Sequence, residues 1–254
     1  METTGVTGKA SRIVATVEAR MASSRLPGKV LLPALGRPML GHLLDRLQSV
    51  PEIQAIVLAT TTNRSDDVLD EYSQKEGVYC YRGSEDDVMA RVIGAAESAD
   101  ADVVVEITGD CPVIDPQIVA QTIRMFLAHS ADYASNAQVR SYPDGMDTQV
   151  FRLATLKRSA ALTTDRLDRE HVTLHIRNHP ELFSHLHLVA PPELHWPDLG
   201  LTLDESADYE LLRRLIVHFG PANPLFGCSE IVRLLRAKPD WVAVNKAVLR
   251  KGDS

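Results

Sequence analysis

The sequence predicts an α/β fold built on a doubly wound, mainly parallel sheet. Three observations predict it. Short apolar runs (Ile13 to Val17, Ile53 to Thr60 and the valine-rich Asp102 to Thr108) lack the period-two alternation of a half-exposed strand, so each is expected to be covered on both faces. Segments with apolar residues at helical spacing separate them. The alternation of the two at these lengths is that of right-handed βαβ units. No internal repeat interrupts it, and 254 residues suit one domain.

In chain order, Met1 to Lys9 is rich in Thr and Gly and is expected to be a disordered leader, with a single domain over 10–254. After the first strand comes a basic loop carrying Arg20, Arg25 and Lys29 within ten residues, interleaved with Ser23, Ser24 and Gly28, and Pro27 keeps it from winding into a helix. Small residues let backbone N–H groups approach phosphate oxygens, guanidiniums offer forked donors and the ammonium adds a point charge. By residue types alone this is either a phosphate cradle or a solvated basic loop. Neither G-x-x-x-x-G-K-[ST] nor G-x-G-x-x-G occurs in it.

Pro38 is expected at the first position of a helix with Leu40, Leu43, Leu44 and Leu47 on one face. The strand Ile53 to Thr60 leads to a helix from Ser65, with Asp66 and Asp67 in its first turn. Val78 to Tyr81 reads as a strand, Glu85 opens a helix carrying Val88, Met89, Val92 and Ile93, and Pro116 opens another, with Asp115 as its cap. Residues 136–197 read as an insertion or flap of short strands with a helix from about Asp168 to His179. Gly200 to Leu203 returns as a strand, a helix runs from Ser206 or Ala207 to His218 with Gly220 to end it, and a helical pair closes the chain.

Charge and cysteine usage narrow the partners. With 27 Lys and Arg against 34 Asp and Glu, the net charge of −7 argues against a nucleic-acid or anionic-membrane surface, so any basic site is local. Three cysteines with no C-x-x-C pair fit a reducing compartment and a cytoplasmic address. No stretch approaches the ~18 apolar residues of a membrane span, and no signal peptide is evident.

Two aspartates form a second constellation. Asp110 and Asp204 each end a predicted strand, where ligands of open α/β sheets gather, and two hard carboxylates there can hold Mg²⁺ against a triphosphate. The same position also suits a turn residue or helix cap. Without a cation such a pair is repulsive, so removing one charge is expected to leave stability level or raise it. His171, His175 and His179, four apart, would stack on one helix face as in some zinc sites. No cysteine or H-E-x-x-H completes that set, which favours a solvated histidine face.

These segments resemble the cytidylyltransferase family, of the spore coat polysaccharide and CMP-sugar (3-deoxyoctulosonate-type) kinds. Residues 19–29 match its A-R-M-x-S-[ST]-R-L-P-G-K, 81–88 resemble F-R-G-S-E-x-D-V, and 108–116 resemble T-x-D-C-P-L-I-D-P. Residues 140–151 are similar to R-x-Y-P-x-G-L-D-x-E-V-F, 169–173 to R-E-H-V-T, and 201–211 to L-T-V-D-T-P-E-D-Y-E-L, all in family order. The resemblance implies a nucleotide-diphospho-sugar transferase sheet and a Mg²⁺-dependent transfer of CMP from CTP to an anionic sugar or sugar-like acceptor, with a homodimer expected. It implies that Ala19, Arg20, Ser24, Arg25 and Lys29 wrap the triphosphate and that Asp110 and Asp204 are the metal ligands; Arg82, Gly83 and Ser84, just after a predicted strand, either read the base or form a plain strand-to-helix turn. The resemblance places Asp147, Glu170 and His171 on the acceptor side, with Arg169 as an ion-pair or carboxylate contact. Glu18 stands where the family has Gln or Pro, Gln149 where it has Glu, and His175 where it has Tyr. Two rival readings are a glycosyltransferase on the same sheet, disfavoured because Gly-Asp-Cys-Pro replaces Asp-x-Asp, and a non-catalytic nucleotide-binding protein.

Overall fold

A computed structural model describes residues 11–249; the expected leader lies outside the described residues. Seven strands form one sheet in the order β5-β4-β1-β6-β8-β7-β9. β1 (Ile13–Glu18) is flanked by β4 (Ala55–Thr61) and β6 (Val103–Thr108), and β4 by β5 (Tyr79–Gly83), all parallel. β8 (Gln149–Arg152) runs antiparallel between β6 and β7 (Tyr133–Ser135), and β9 (His185–His187) pairs parallel with β7. A separate ribbon, β2 (Pro33–Ala34) with β3 (Arg37–Pro38), follows the basic loop.

The predicted helices are present. They are α1 (Met39–Gln48), α2 (Asp67–Glu76), α3 (Val88–Ser98), α4 (Pro116–Ala128) and α8 (Ser206–Phe219), and the closing pair is α9 (Cys228–Ala237) and α10 (Pro239–Val242). α4 and α8 have the expected starts, and α1, α2 and α3 have shifted ones. Pro38 is the N-cap of α1 rather than its first residue, and Gly220 ends α8 in right-handed conformation, φ −53°. Its lack of a Cβ matters instead for space, since one would meet Ile216 O and Leu35 Cδ1 at 2.6 Å. Asp115 caps α4 as expected, its Oδ1 accepting from Gln117 N at 2.8 Å, and its Oδ2 accepts from Cys228 N at 2.7 Å, so one carboxylate serves two helix starts. Arg46 is 2% exposed and donates to Ile114 O, Phe226 O and Pro224 O, which compensates its burial.

Residues 136–197 depart most from expectation. They do not lie outside the sheet: β8 sits beside the central β6, and α5 (Leu153–Leu162) packs against the α3 face. The single helix expected over 168–179 is two short ones, α6 (Arg166–Glu170) and α7 (Leu174–Asn178), because Val172 takes a left-handed φ of 47° between them. The three histidines therefore share no helix face. His175 is buried against Ser159 Oγ at 3.1 Å, and His179 pairs with Glu181.

The topology creates a crevice. From β1 the chain winds outward through β4 to β5, then returns to the other side of β1 as β6, so the loops leaving β1 and β6 diverge at the carboxyl ends of these strands. Gly109 lets the two ends touch: its N–H donates to Glu18 O at 2.9 Å, and a Cβ would lie 2.6 Å from that oxygen. No helix among the described residues is long and apolar enough to cross a membrane.

Candidate active site

A cleft of about 580 Å³ opens at this crevice, lined by Ala19, Arg20, Ser24, Arg25 and Lys29 from the loop after β1 and by Asp110 after β6. The loop is pinned at both ends. Met21 N donates to Asp66 Oδ1 (2.7 Å) and Gly28 N to Met21 O (2.9 Å), and Gly28, at φ 69°, turns the chain so that Lys29 starts a 3-10 turn facing back into the cleft.

Asp110 is oriented from both sides. Its Oδ1 accepts from Thr108 Oγ1 at 2.6 Å and from the Cys111 thiol at 3.6 Å, which leaves Oδ2 aimed at Lys29 Nζ, 3.4 Å away. Asp204 reaches the same ammonium at 3.0 Å with Oδ1, and that oxygen also meets Arg25 Nη2 at 2.9 Å. Lys29 thus bridges the two aspartates. Burial alone would lower its pKa, but Asp110 and Asp204 outweigh this and hold it above the ordinary lysine value. The pair is therefore not the uncompensated repulsion expected from sequence.

Asp204 also arrives by a different route from the one predicted. Residues 200–203 make no strand of the sheet. They are extended backbone held by an isolated bridge between Asp144 and Gly200, by Leu201 N donating to Asp144 O (2.7 Å) and by Leu203 N donating to Asp110 O (2.8 Å). Gly145 makes room for this segment at φ 105°, where a Cβ would meet Leu201 C and O at 2.7 Å. Asp208 is fully buried. Its carboxylate accepts from Asp204 N and Glu205 N and from Asn245 Nδ2, so it fixes the Asp204 backbone as well as favouring the α8 dipole.

The opposite wall is acidic and comes from Glu18, Glu106, Asp144, Asp147, Gln149, Glu170 and His171, with Arg166 and Arg177. Glu18 and Glu106 lie carboxyl to carboxyl. Burial and then Glu106 push Glu18 well above the usual carboxylate range, and burial also raises Glu106 against the lowering bond from Glu18. Gln149 is fixed by hydroxyls of Tyr133 (2.5 Å) and Thr173 (2.6 Å) donating to its Oε1, which turns its amide N–H toward Glu106. A glutamate at 149 would add a third buried carboxyl beside Glu18 and Glu106. Burial, reinforced by Asp144, pushes Asp147 up to about 7.

Several expected contacts go elsewhere. Arg82 and Gly83 are the last residues of β5, not a turn after it. Arg82 spends its donors on Thr61 O, Asn63 O and Asp67, and Ser84 caps the following turn through Asp87 N, so the cleft is lined instead by the next two residues, Glu85 and Asp86. Arg169 pairs with Asp87 and donates to Ala160 O, tying α6 to its neighbours rather than facing the cleft. Arg20 lines the cleft and pairs with Glu85 at 2.9 Å across it. The reading from sequence missed Glu106 and Arg91. A lone Glu inside the Val-Val-Val-Glu-Ile run and a lone Arg among the apolar positions of α3 were the available signals, since a charge in a buried element needs a reason.

The donor set suits a hard divalent ion. Asp110 Oδ2 and Asp204 Oδ1 converge on one cation, and Mg²⁺ takes one or two protein carboxylates while drawing its remaining oxygens from water and phosphate. Among the described residues no cluster of three or more His, Cys, Asp or Glu side chains is arranged to hold a metal.

Comparison with known proteins agrees with this architecture. The chain is 34% identical over 242 residues to spore coat polysaccharide biosynthesis protein SpsF of Bacillus subtilis, covering 92% of this chain and 98% of that one. It is 26% identical over 157 residues to 3-deoxy-manno-octulosonate cytidylyltransferase of Geobacter metallireducens, 61% of each chain. A solved cytidylyltransferase from Leptospira borgpetersenii superposes with a TM-score of 0.85 at 29% identity, over 94% of this chain and 98% of that one. The family model for cytidylyltransferases matches residues 14–217, from the first strand through the helix that follows Asp204, and the chain belongs to that family.

Proposed function

We propose that this enzyme transfers CMP from CTP to a hydroxyl of an anionic sugar or sugar-like acceptor, releasing pyrophosphate, in the making of a surface polysaccharide. The observation that carries the reading is the convergence of Arg25, Lys29, Asp110 and Asp204 within 3.4 Å at the crevice between β1 and β6. The relatives named for spore coat polysaccharide and octulosonate chemistry support the acceptor class. The new bond joins the acceptor oxygen to the α-phosphorus. The bond from that phosphorus to the bridging oxygen breaks, and its electron pair leaves with pyrophosphate.

Lys29 and Arg25 bind the phosphates and neutralise charge developing on the leaving group, with Arg20 at the rim. Asp110 and Asp204 would hold Mg²⁺, which supplies charge neutralisation at the reacting phosphate. Asp147, pushed up to about 7, is matched to accept the hydroxyl proton near neutral pH. Three free cysteines fit a reducing, cytoplasmic setting, and a homodimer is the expected assembly. The test presents the four nucleoside triphosphates, each with Mg²⁺, to a panel of acidic sugars and sugar-like alcohols, reading pyrophosphate and product mass. Pyrophosphate released with CTP and one acidic sugar is expected. Release independent of any acceptor, or with another nucleotide alone, would refute the proposal.

A further inference from the structure

We propose that Lys29 is an exchangeable counter-ion of the metal site, so that a divalent ion gains Asp110 and Asp204 only as a triphosphate draws the ammonium away. The inference rests on the metal reading above and goes beyond it. Lys29 Nζ lies 3.0 Å from Asp204 Oδ1 and 3.4 Å from Asp110 Oδ2, and these are the oxygens any bridging cation must use. Asp110 has no second oxygen to offer, because its Oδ1 is occupied by Thr108 and Cys111. Arg25 holds Asp204 Oδ1 at 2.9 Å as well. A metal entering alone must therefore displace a partly buried ion pair in return for two carboxylate ligands, with water in the rest of its shell.

A triphosphate changes both sides of that balance. It offers Lys29 and Arg25 other anions, which frees the aspartate oxygens, and it supplies phosphate oxygens that complete the metal's shell. Metal and nucleotide then bind with positive coupling, and the coupling is reciprocal. The flexible stem of lysine suits the exchange, since Nζ can swing while the backbone of residue 29 stays fixed by Leu26 O.

The experiment titrates Mn²⁺ into the full chain, following free Mn²⁺ by electron paramagnetic resonance, and measures by calorimetry a CTP analogue with a methylene between its α- and β-phosphorus. For the parent chain, Mn²⁺ alone should bind weakly, and the analogue should bind between about fivefold and 150-fold more tightly with Mn²⁺ than without it. Lys29→Met should raise affinity for Mn²⁺ alone about tenfold and shrink the coupling, with Lys29→Gln moving the same way. Arg20→Met, which removes a cation paired to Glu85, should leave Mn²⁺ affinity unchanged and so separates competition from general charge. Equal Mn²⁺ affinity in Lys29→Met and the parent, or an equal rise in Arg20→Met, would overturn the exchange while leaving the metal site standing. Full Mn²⁺ coupling retained in Asp110→Asn would overturn the metal site and the exchange with it.

Discussion

The two walls of the cleft solve the problem of gathered charge in opposite ways. On the wall formed by the loop after β1 with Asp110 and Asp204, every carboxylate meets a cation: Lys29 bridges two, and Arg25 spans Asp204 and Glu205. On the acidic wall, where Glu18 ends β1, Glu106 lies in β6 and Asp147 precedes β8, carboxyls outnumber cations, and burial raises all three above the usual carboxylate range, Asp147 to about 7. Ion pairing compensates each charge of the first wall and leaves its cations ready to exchange partners with phosphates. Asp147, raised by burial to about 7, makes the second wall sensitive to pH near neutrality. The difference follows from how each is built: the long flexible cations of the first wall come from a loop, whereas Glu18 and Glu106 are brought together by the pairing of the central strands β1 and β6.

The comparison breaks first at the aspartates. Asp110→Asn and Asp204→Asn should each lower turnover on the order of a hundredfold or more, because charge neutralisation at the reacting phosphate is lost. Each should also lose roughly 1 kcal/mol of stability, seen as a melting temperature reduced by about 2–4 °C, since Lys29 is left half-paired. A rise in melting temperature would mean that the repulsion expected from sequence outweighs the bridge. Next, Arg25→Ala and Lys29→Ala should weaken the CTP analogue by about ten- to a hundredfold in calorimetry, the loss of one charged hydrogen bond of about 1.5–3 kcal/mol. Unchanged affinity would make this loop a solvated surface.

A smaller effect is expected at the joint between the walls. Gly145→Ala forces a side chain into left-handed backbone and against Leu201, and should cost about 1–3 kcal/mol of stability in chemical denaturation. It should also lower activity, because the segment it displaces carries Asp204. For the protonated wall, Asp147 is a group whose pKa is raised on folding to about 7, so its charging destabilises the fold as pH climbs from about 4 through 7. Asp147→Asn should therefore melt a few degrees above the parent at pH 8, and the gap should close by pH 4. A gap that widens toward acid pH would mean that Asp147 is ionised and paired. The smallest effect belongs to Arg82→Ala, which should leave affinity for the analogue within about twofold, since its donors are spent on backbone and Asp67.

Local pattern in the sequence made the paired wall legible, whereas Glu18, Asp147, Gln149, Glu170 and His171 of the other wall were legible only through family motifs, and how that wall is built was hidden for physical reasons. Arg20, Arg25 and Lys29 are neighbours along the chain, and Asp110 directly follows an unmistakable buried strand, so local pattern suffices to place them. β8 spans only Gln149–Arg152 and takes its identity from β6 and β7 beside it, which no local pattern carries. The break at Val172 is likewise tertiary, because a valine at positive φ contradicts its own propensity. Arg82 was misplaced by two residues of strand boundary, enough to turn a supposed base reader into a tie between β5 and the start of α2. Asp204 was placed correctly for the wrong reason: no strand brings it to Asp110, but a single backbone bond from Leu203 does.

The double duty of Asp115, and the burial of Arg46, bear on how the chain is made. β1, β4, β5 and β6 with their helices are all made before the segment that carries α9. Yet the Phe226 carbonyl that receives Arg46 lies 180 residues downstream of it, and the amide that completes Asp115 lies 113 residues on, at Cys228. Until those residues emerge, a guanidinium with too few acceptors and a half-used carboxylate sit where the core should close. Native burial of Arg46 and full use of Asp115 therefore both require the segment that carries α9, and a chain cut before Phe226 is expected to leave both groups short of partners.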